Sequence, residues 1–206
     1  LAEYFPVLGN KEFNKYNLID INALKLPVNA TQEEMNFHLG KYVEKFAEAN
    51  YGVPYGGFLE ERCIYQSSDH FSNEAVRNIH LGIDLWVKAH TPVFAAKDGK
   101  IHSVAYNSAQ LDYGWCIIIE YSDNEFVLYG HMSSEILDNS KSGDKILSGE
   151  IIGYTGDMHE NGGWYPHLHL QVMNTMLDYK GDFPGVSSKK DLEYYRPLIK
   201  NPVYLL

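Results

Sequence analysis

Five residues of this 206-residue chain have the types and the spacing to hold a divalent cation and to move protons beside it. His167 and His169 stand two apart in Tyr165-Pro166-His167-Leu168-His169-Leu170-Gln171-Val172, a stretch that alternates as a strand does. Side chains two apart on a strand share a face, so both imidazoles look one way while Leu168 and Leu170 look into a core. His80 and Asp84 stand four apart in His80-Leu81-Gly82-Ile83-Asp84, and His131 lies in Tyr129-Gly130-His131-Met132. Imidazole and carboxylate ligands suit zinc, whose catalytic sites commonly take three protein ligands and leave one position for water. A hydrogen-bonded surface pair would account for His80 and Asp84 taken alone. All five polar groups beside apolar strand-like runs point instead to one metal site.

These residues need a scaffold that brings distant segments together. From residue 80 onward, turn signals recur at short intervals between apolar runs, and the runs 82–87, 92–96, 100–106, 115–121, 126–129, 150–154 and 168–173 read as strands. Upstream, Thr31 with Glu34 forms a capping box, and Met35, Leu39, Tyr42, Val43 and Phe46 follow at helical spacing, which predicts a helix over 31–48 despite Gly40. Residues 1–30 show no sustained period and read as irregular pieces, and 58–65 as a short strand or irregular run. The expected organisation is an N-terminal extension over 1–75, a catalytic core over 76–175 and a wrapping segment over 176–206. His38, His70 and His102 read as surface or packing residues, whereas His159 lies in the loop before the last strand, within reach of a groove.

Composition narrows the function. With 45% hydrophobic residues the chain can bury a full core. A net charge of -10 without a lysine or arginine block argues against nucleic acid and anionic membrane surfaces as partners and favours a neutral or cationic polymer. No apolar run approaches the roughly 18 residues of a membrane span. Leu1 to Pro6 lack the basic and apolar segments of a leader, so the compartment stays open. Cys63 and Cys116 form no CxxC pair, so neither a thiolate zinc site nor a disulfide framework is indicated, and Cys116 within an apolar run reads as a buried small hydrophobe; whether the two are bridged is open. The 16 tyrosines suit a sheet-rich fold and a ring-lined groove for a peptide or glycan. No feature speaks to the oligomeric state.

From His80 to about Val172 the chain resembles the lysostaphin-type (LytM-like) zinc metallopeptidases. The likeness rests on an ordered set: His80-Leu81-Gly82-Ile83-Asp84, Thr91-Pro92-Val93, Asp98-Gly99-Lys100-Ile101, Tyr129-Gly130-His131-Met132, Ser142-Gly143-Asp144, Gly149-Glu150-Ile151-Ile152-Gly153 and Pro166-His167-Leu168-His169. The flanks, 57–65 and 181–186, resemble its peptidoglycan DD-metallopeptidase-like branch. The resemblance implies a mainly β fold in which antiparallel sheets form a groove, with the N-terminal helix and C-terminal wrap added. It further implies Zn2+ held by His80, Asp84 and His169, with His131 and His167 as catalytic residues beside a zinc-bound water. The implied substrate is a peptide of peptidoglycan, in its stem or cross-bridge, and the implied location is extracytoplasmic. Trp164 and Tyr165, next to the key strand, are expected to line the substrate groove. Three positions depart from the family pattern: His90 replaces a glycine, Asn161-Gly162-Gly163-Trp164-Tyr165 replaces a shorter turn, and Gln171 stands where glutamate is usual. Two alternatives remain: a non-catalytic cell-wall-binding or activator module, and a zinc hydrolase of a small cytosolic peptide or amide.

Overall fold

The structure is a computed structural model that describes residues 4–9, 15–27, 29–62, 76–122, 124–135 and 140–206. In chain order its elements are β1 (Tyr16–Leu18), α1 (Gln32–Asn50), β2 (Val53–Gly56), β3 (Arg77–His80), β4 (Ile83–Leu85), β5 (Pro92–Phe94), β6 (Gly99–Asn107) and β7 (Gly114–Ser122). There follow β8 (Glu125–Met132), β9 (Lys145–Ile146), β10 (Ile151–Tyr154), β11 (Leu168–Met173), β12 (Val186–Ser188), α2 (Leu192–Tyr195) and β13 (Ile199–Lys200).

A nine-stranded sheet in the order β1-β2-β4-β11-β8-β7-β6-β9, with β13 also on β11, forms the centre of a mainly β fold. Its pairings are antiparallel apart from β1 with β2. Strand alternation explains why the central strands are buried on both faces. Ile117, Ile119, Val127, Tyr129, Leu168, Leu170 and Val172 enter one core. Their neighbours Cys116, Ile118, Leu128 and Met173 enter a second, on the opposite face, where Met176 and Phe183 of the C-terminal segment cover them. His169 and Gln171 share the parity of Met173, so the polar site belongs to this second face.

The predicted helix is present as α1, and its start follows from the capping box: Thr31 Oγ1 accepts from the Glu34 backbone N–H, and Glu34 Oε2 accepts from the Thr31 N–H. Such a cap stabilises a helix by about 1 kcal/mol. Leu39 and Val43 then pack with Ile19, Ile21 and Trp86 in a third cluster. Gly40, which costs about 1 kcal/mol against alanine in a helix, leaves room for the Tyr165 ring: a Cβ there would stand 2.6 Å from Tyr165 Cε2.

All seven strands expected after residue 80 are present. The short β1, β2, β3, β9, β12 and β13 were not foreseen, because two to four residues carry too little alternation to announce a strand and their pairing is long-range. Thus residues 1–30, expected to be irregular, contribute β1, and β2 joins the sheet edge through β4. The described part of 58–65 is irregular, with an isolated bridge from Glu61 to Ile79. Its remainder lies outside the described residues, as do Cys63, His70 and the expected end of the N-terminal extension at 75. Among the described residues no helix is long and apolar enough to cross a membrane.

Candidate metal centre

Three strands deliver the proposed ligands. Asp84 of β4 is directly opposite His169 of β11 in the antiparallel register, which places both side chains on one face. His80 ends β3, and β4 begins only three residues later. Gly82 lies between, where a Cβ would meet the His169 ring at 2.8 Å and Leu170 O at 2.6 Å. The glycine of His80-Leu81-Gly82-Ile83-Asp84 therefore makes room for the imidazole across the ladder. One ligand atom each from His80, Asp84 and His169 lies within 4.8 Å of the others, and all three residues are buried. Asp84 Oδ1 is 2.9 Å from His169 Nδ1 and 3.3 Å from His80 Nε2, and those two nitrogens are 3.0 Å apart.

Hydrogen bonds on the far side of each ring select the converging atoms. His80 Nδ1 faces Gly57 O at 3.2 Å, so it donates there and leaves Nε2 bare. His169 Nε2 faces Gln171 Oε1 at 3.1 Å, and Gln171 Nε2 in turn donates to Pro184 O at 3.1 Å, which fixes the amide and leaves His169 Nδ1 bare. Asp84 Oδ2 accepts from Arg62 Nη1 at 2.5 Å. Burial pushes the Asp84 carboxyl upward, but the neighbouring His80, Arg62, His167 and His169 outweigh it and hold the group well below the ordinary carboxylate range. Burial, then Arg62, lowers His80 to about 4. A cation requires deprotonated ligand atoms, and two imidazoles and a carboxylate converging within 4.8 Å form a donor set that fits a divalent metal.

His131 and His167 complete the cluster. Their ring centroids are 4.2 Å apart, and His167 Nε2 lies 3.8 Å from Asp84 Oδ1. His131 follows Gly130, the residue opposite His169, so plain alternation would turn it away. Its φ of 60° breaks the alternation and returns the ring to the site, a left-handed conformation that costs a non-glycine residue roughly 1–3 kcal/mol. His131 Nδ1 is 2.7 Å from Asn161 O and His167 Nδ1 is 2.7 Å from Tyr165 O; both nitrogens donate, so both Nε2 atoms remain acceptors. Burial lowers both rings below the ordinary histidine range, helped at His131 by His167 and His169. Trp86 stacks on His167 with centroids 4.6 Å apart.

These residues lie at the base of a groove of about 680 Å3, whose walls include Met35 and Leu39 of α1, Tyr113, Trp164 and Phe183. Trp164 lines the groove, whereas the Tyr165 ring turns to α1, against Gly40, with its hydroxyl 3.3 Å from Glu44 Oε1. His159 is exposed and is not among the lining residues, and His102 packs edge-on against Phe126. His90 takes a φ of 62°, which explains why glycine suits this position. Sequence reasoning missed Arg62 altogether and rested no role on Gln171. No pattern in the charged stretch Glu60-Glu61-Arg62 singles out the first, and placement two residues beyond His169 was the available signal for the second.

The model of peptidase family M23 matches residues 78–180, half of the chain. A glycyl-glycine endopeptidase, ALE-1, from Staphylococcus capitis is 35% identical over 97 residues, which is 46% of this chain and 24% of that protein. The peptidoglycan DD-endopeptidase ShyC of Vibrio cholerae is 29% identical over 94 residues, 46% of this chain and 20% of that one. The chain thus spans a quarter or less of the length of these relatives. Among solved structures, the catalytic domain of lysostaphin from Staphylococcus simulans superposes with a TM-score of 0.51 at 22% identity, covering 80% of this chain and 96% of that domain. The last likeness concerns the fold.

Proposed function

The chain belongs to peptidase family M23, and from that premise we propose that it is a zinc-dependent endopeptidase hydrolysing a peptide bond in the stem or cross-bridge peptides of peptidoglycan. The observation that carries this reading is the buried convergence of His80, Asp84 and His169 beside two imidazoles whose Nε2 atoms are free to accept protons. His80 Nε2, Asp84 Oδ1 and His169 Nδ1 are the atoms that would hold the ion. Zinc bound there supplies Lewis acidity, which lowers the pKa of water towards about 7 and polarises the scissile carbonyl.

The remaining chemistry belongs to the chain. His131 and His167, neutral because they are buried, can take a proton from the attacking water, and the protonated ring can return it to the leaving amine. The other ring is then available to hydrogen-bond the developing oxyanion. The groove has apolar residues such as Met35, Leu39 and Phe183 in its walls and suits an extended peptide. Residues 76–175 serve in this reading as the catalytic core, a division supported by the family match over 78–180. Both named relatives are, by name, an endopeptidase for glycyl-glycine and one for peptidoglycan, which supports the substrate class. A net charge of -10 favours encounter with lysine-type or amidated peptides.

The test is incubation of the zinc-loaded protein with purified cell-wall fragments and with pentaglycine, the products being read by mass spectrometry. Cleavage of either is expected. His131→Ala and His167→Ala should each retain zinc and lose hydrolysis, while His80→Ala, Asp84→Ala and His169→Ala should each lose zinc. Ligand binding without turnover in the parent protein would replace the enzyme reading with that of a binding module.

A further inference from the structure

The two imidazoles next to the metal ligands are oriented by one loop. His131 donates to Asn161 O and His167 to Tyr165 O, so the carbonyls that set both rings belong to residues 161–165. That loop contains two successive glycines with positive φ, Gly162 at 86° and Gly163 at 87°, and glycine has the most conformational freedom to lose on ordering. Left to itself such a loop would place its carbonyls poorly.

Two asparagines hold it. Asn161, wholly buried, grips the loop from within: its Oδ1 accepts from the Trp164 N–H and its Nδ2 donates to Trp164 O, each at 3.0 Å. Asn36 grips it from outside, from helix α1, where Nδ2 donates to Gly163 O at 2.8 Å and Oδ1 accepts from the Tyr165 N–H at 3.0 Å. One amide thus satisfies a carbonyl and an N–H two residues apart, as a neighbouring strand would. Gln32, one turn earlier, adds a bond from Nε2 to Gly163 O at 3.1 Å. The helix that carries them is itself seated by Leu39 and Val43 against Ile19, Ile21 and Trp86, and by Tyr42 Oη donating to Asp20 O at 2.8 Å.

We propose that Asn36 is a positioning residue for His131 and His167, so that α1, which lies outside the 78–180 segment matching the family, is part of the catalytic apparatus of this chain. The inference rests on the peptidase reading for its effect on turnover and on geometry alone for its effect on the rings. Asn36 touches Gly163 and Tyr165, and Tyr165 O is the acceptor for His167; Asn161 O, the acceptor for His131, starts the same five-residue loop. The metal ligands come from β3, β4 and β11 and take none of their partners from this loop. Loss of Asn36 should therefore separate the two halves of the site. Misplacing a reacting group by about 1 Å can lower turnover on the order of 100-fold.

The experiment uses the full chain with Asn36→Leu, which keeps the buried volume but removes both loop bonds, and with Ile101→Ala, which removes buried volume from the core packed on β6 and belongs neither to α1 nor to the loop. Zinc affinity, 15N NMR of the imidazole Nδ1–H groups in the zinc-loaded protein, and kcat and KM on any cleaved peptide are compared. Asn36→Leu should keep zinc affinity within about threefold, shift or broaden the His131 and His167 Nδ1–H signals, and lower kcat about 10- to 100-fold with a smaller change in KM. Ile101→Ala should leave the signals and kcat as in the parent. Unchanged Nδ1–H signals in Asn36→Leu, or equal changes in Ile101→Ala, would overturn the proposal. The NMR comparison needs no substrate, so it gives its answer even where no peptide is cleaved and the peptidase reading has failed.

Discussion

Arg62 Nη1 lies 2.5 Å from Asp84 Oδ2, and both side chains are buried. The two oxygens of one carboxylate are thereby divided, Oδ2 to the guanidinium and Oδ1 to the side where His80 and His169 converge. Arg62 Nε also meets Glu60 Oε2 at 3.0 Å. Gly56 makes room for the arrangement, because a Cβ there would stand 2.5 Å from Arg62 Nη2.

Removing that partner should loosen the ligand and leave a buried charge uncompensated. Arg62→Ala is expected to weaken zinc binding about 10- to 100-fold, as loss of a partner behind a ligand typically does, and to destabilise the fold by about 3–5 kcal/mol. Arg62→Lys keeps the charge but lacks the planar fork and should restore only part of the affinity. Chelator competition and denaturant titration read the two effects, and unaltered zinc affinity in Arg62→Ala would show that Asp84 needs no such support.

Gln171 links the metal centre to the C-terminal segment through Pro184 O. Gln171→Leu removes the acceptor that holds His169 in the tautomer with a bare Nδ1. Zinc affinity should fall about 10- to 100-fold, and 15N NMR of the zinc-free protein should show His169 in a mixture of tautomers. A single unchanged tautomer would contradict the assignment.

Gly162 carries a φ of 86°, and a Cβ on it would collide with the backbone oxygen of Asp112. Gly162→Ala should cost at least about 1–3 kcal/mol from backbone strain alone and should lower hydrolysis while zinc is retained, since the displaced loop orients His131 and His167 and none of the metal ligands. Thermal unfolding together with zinc stoichiometry tests both halves of that expectation.

Cys116 is a free, buried thiol whose ionisation burial, followed by Asp182, pushes up to about 12 from 9.0. With Cys63 replaced by serine, the folded chain should resist iodoacetamide at pH 8 and react at the ordinary thiol rate only once unfolded. The sign for stability follows from the raised value. The contribution is fully present below pH 9 and is lost as pH rises from 9 towards 12, where the unfolded chain releases a proton that the folded chain retains. Rapid labelling of the native protein at pH 8 would contradict the burial.

The sequence by itself determined the candidate ligand set and most of the scaffold. His167 and His169 share a face because strand geometry is local, α1 starts at its capping box because that bond spans only Thr31 to Glu34, and the longer strands follow from alternation. Tertiary structure decided what depends on contacts across many residues. Which nitrogen of each ring is bare depends on Gly57 O, Asn161 O, Tyr165 O and Gln171, and none of these assignments can be read from a histidine's own neighbours. His131 reaches the site only through a φ of 60° that strand alternation does not foresee. Asn36 meets Gly163 and Tyr165 across more than 120 residues, and Arg62 meets Asp84 across 22. Such side-chain bonds obey no period along the chain; they form where packing of α1 and the sheet brings the atoms within about 3 Å, and only the folded arrangement records that.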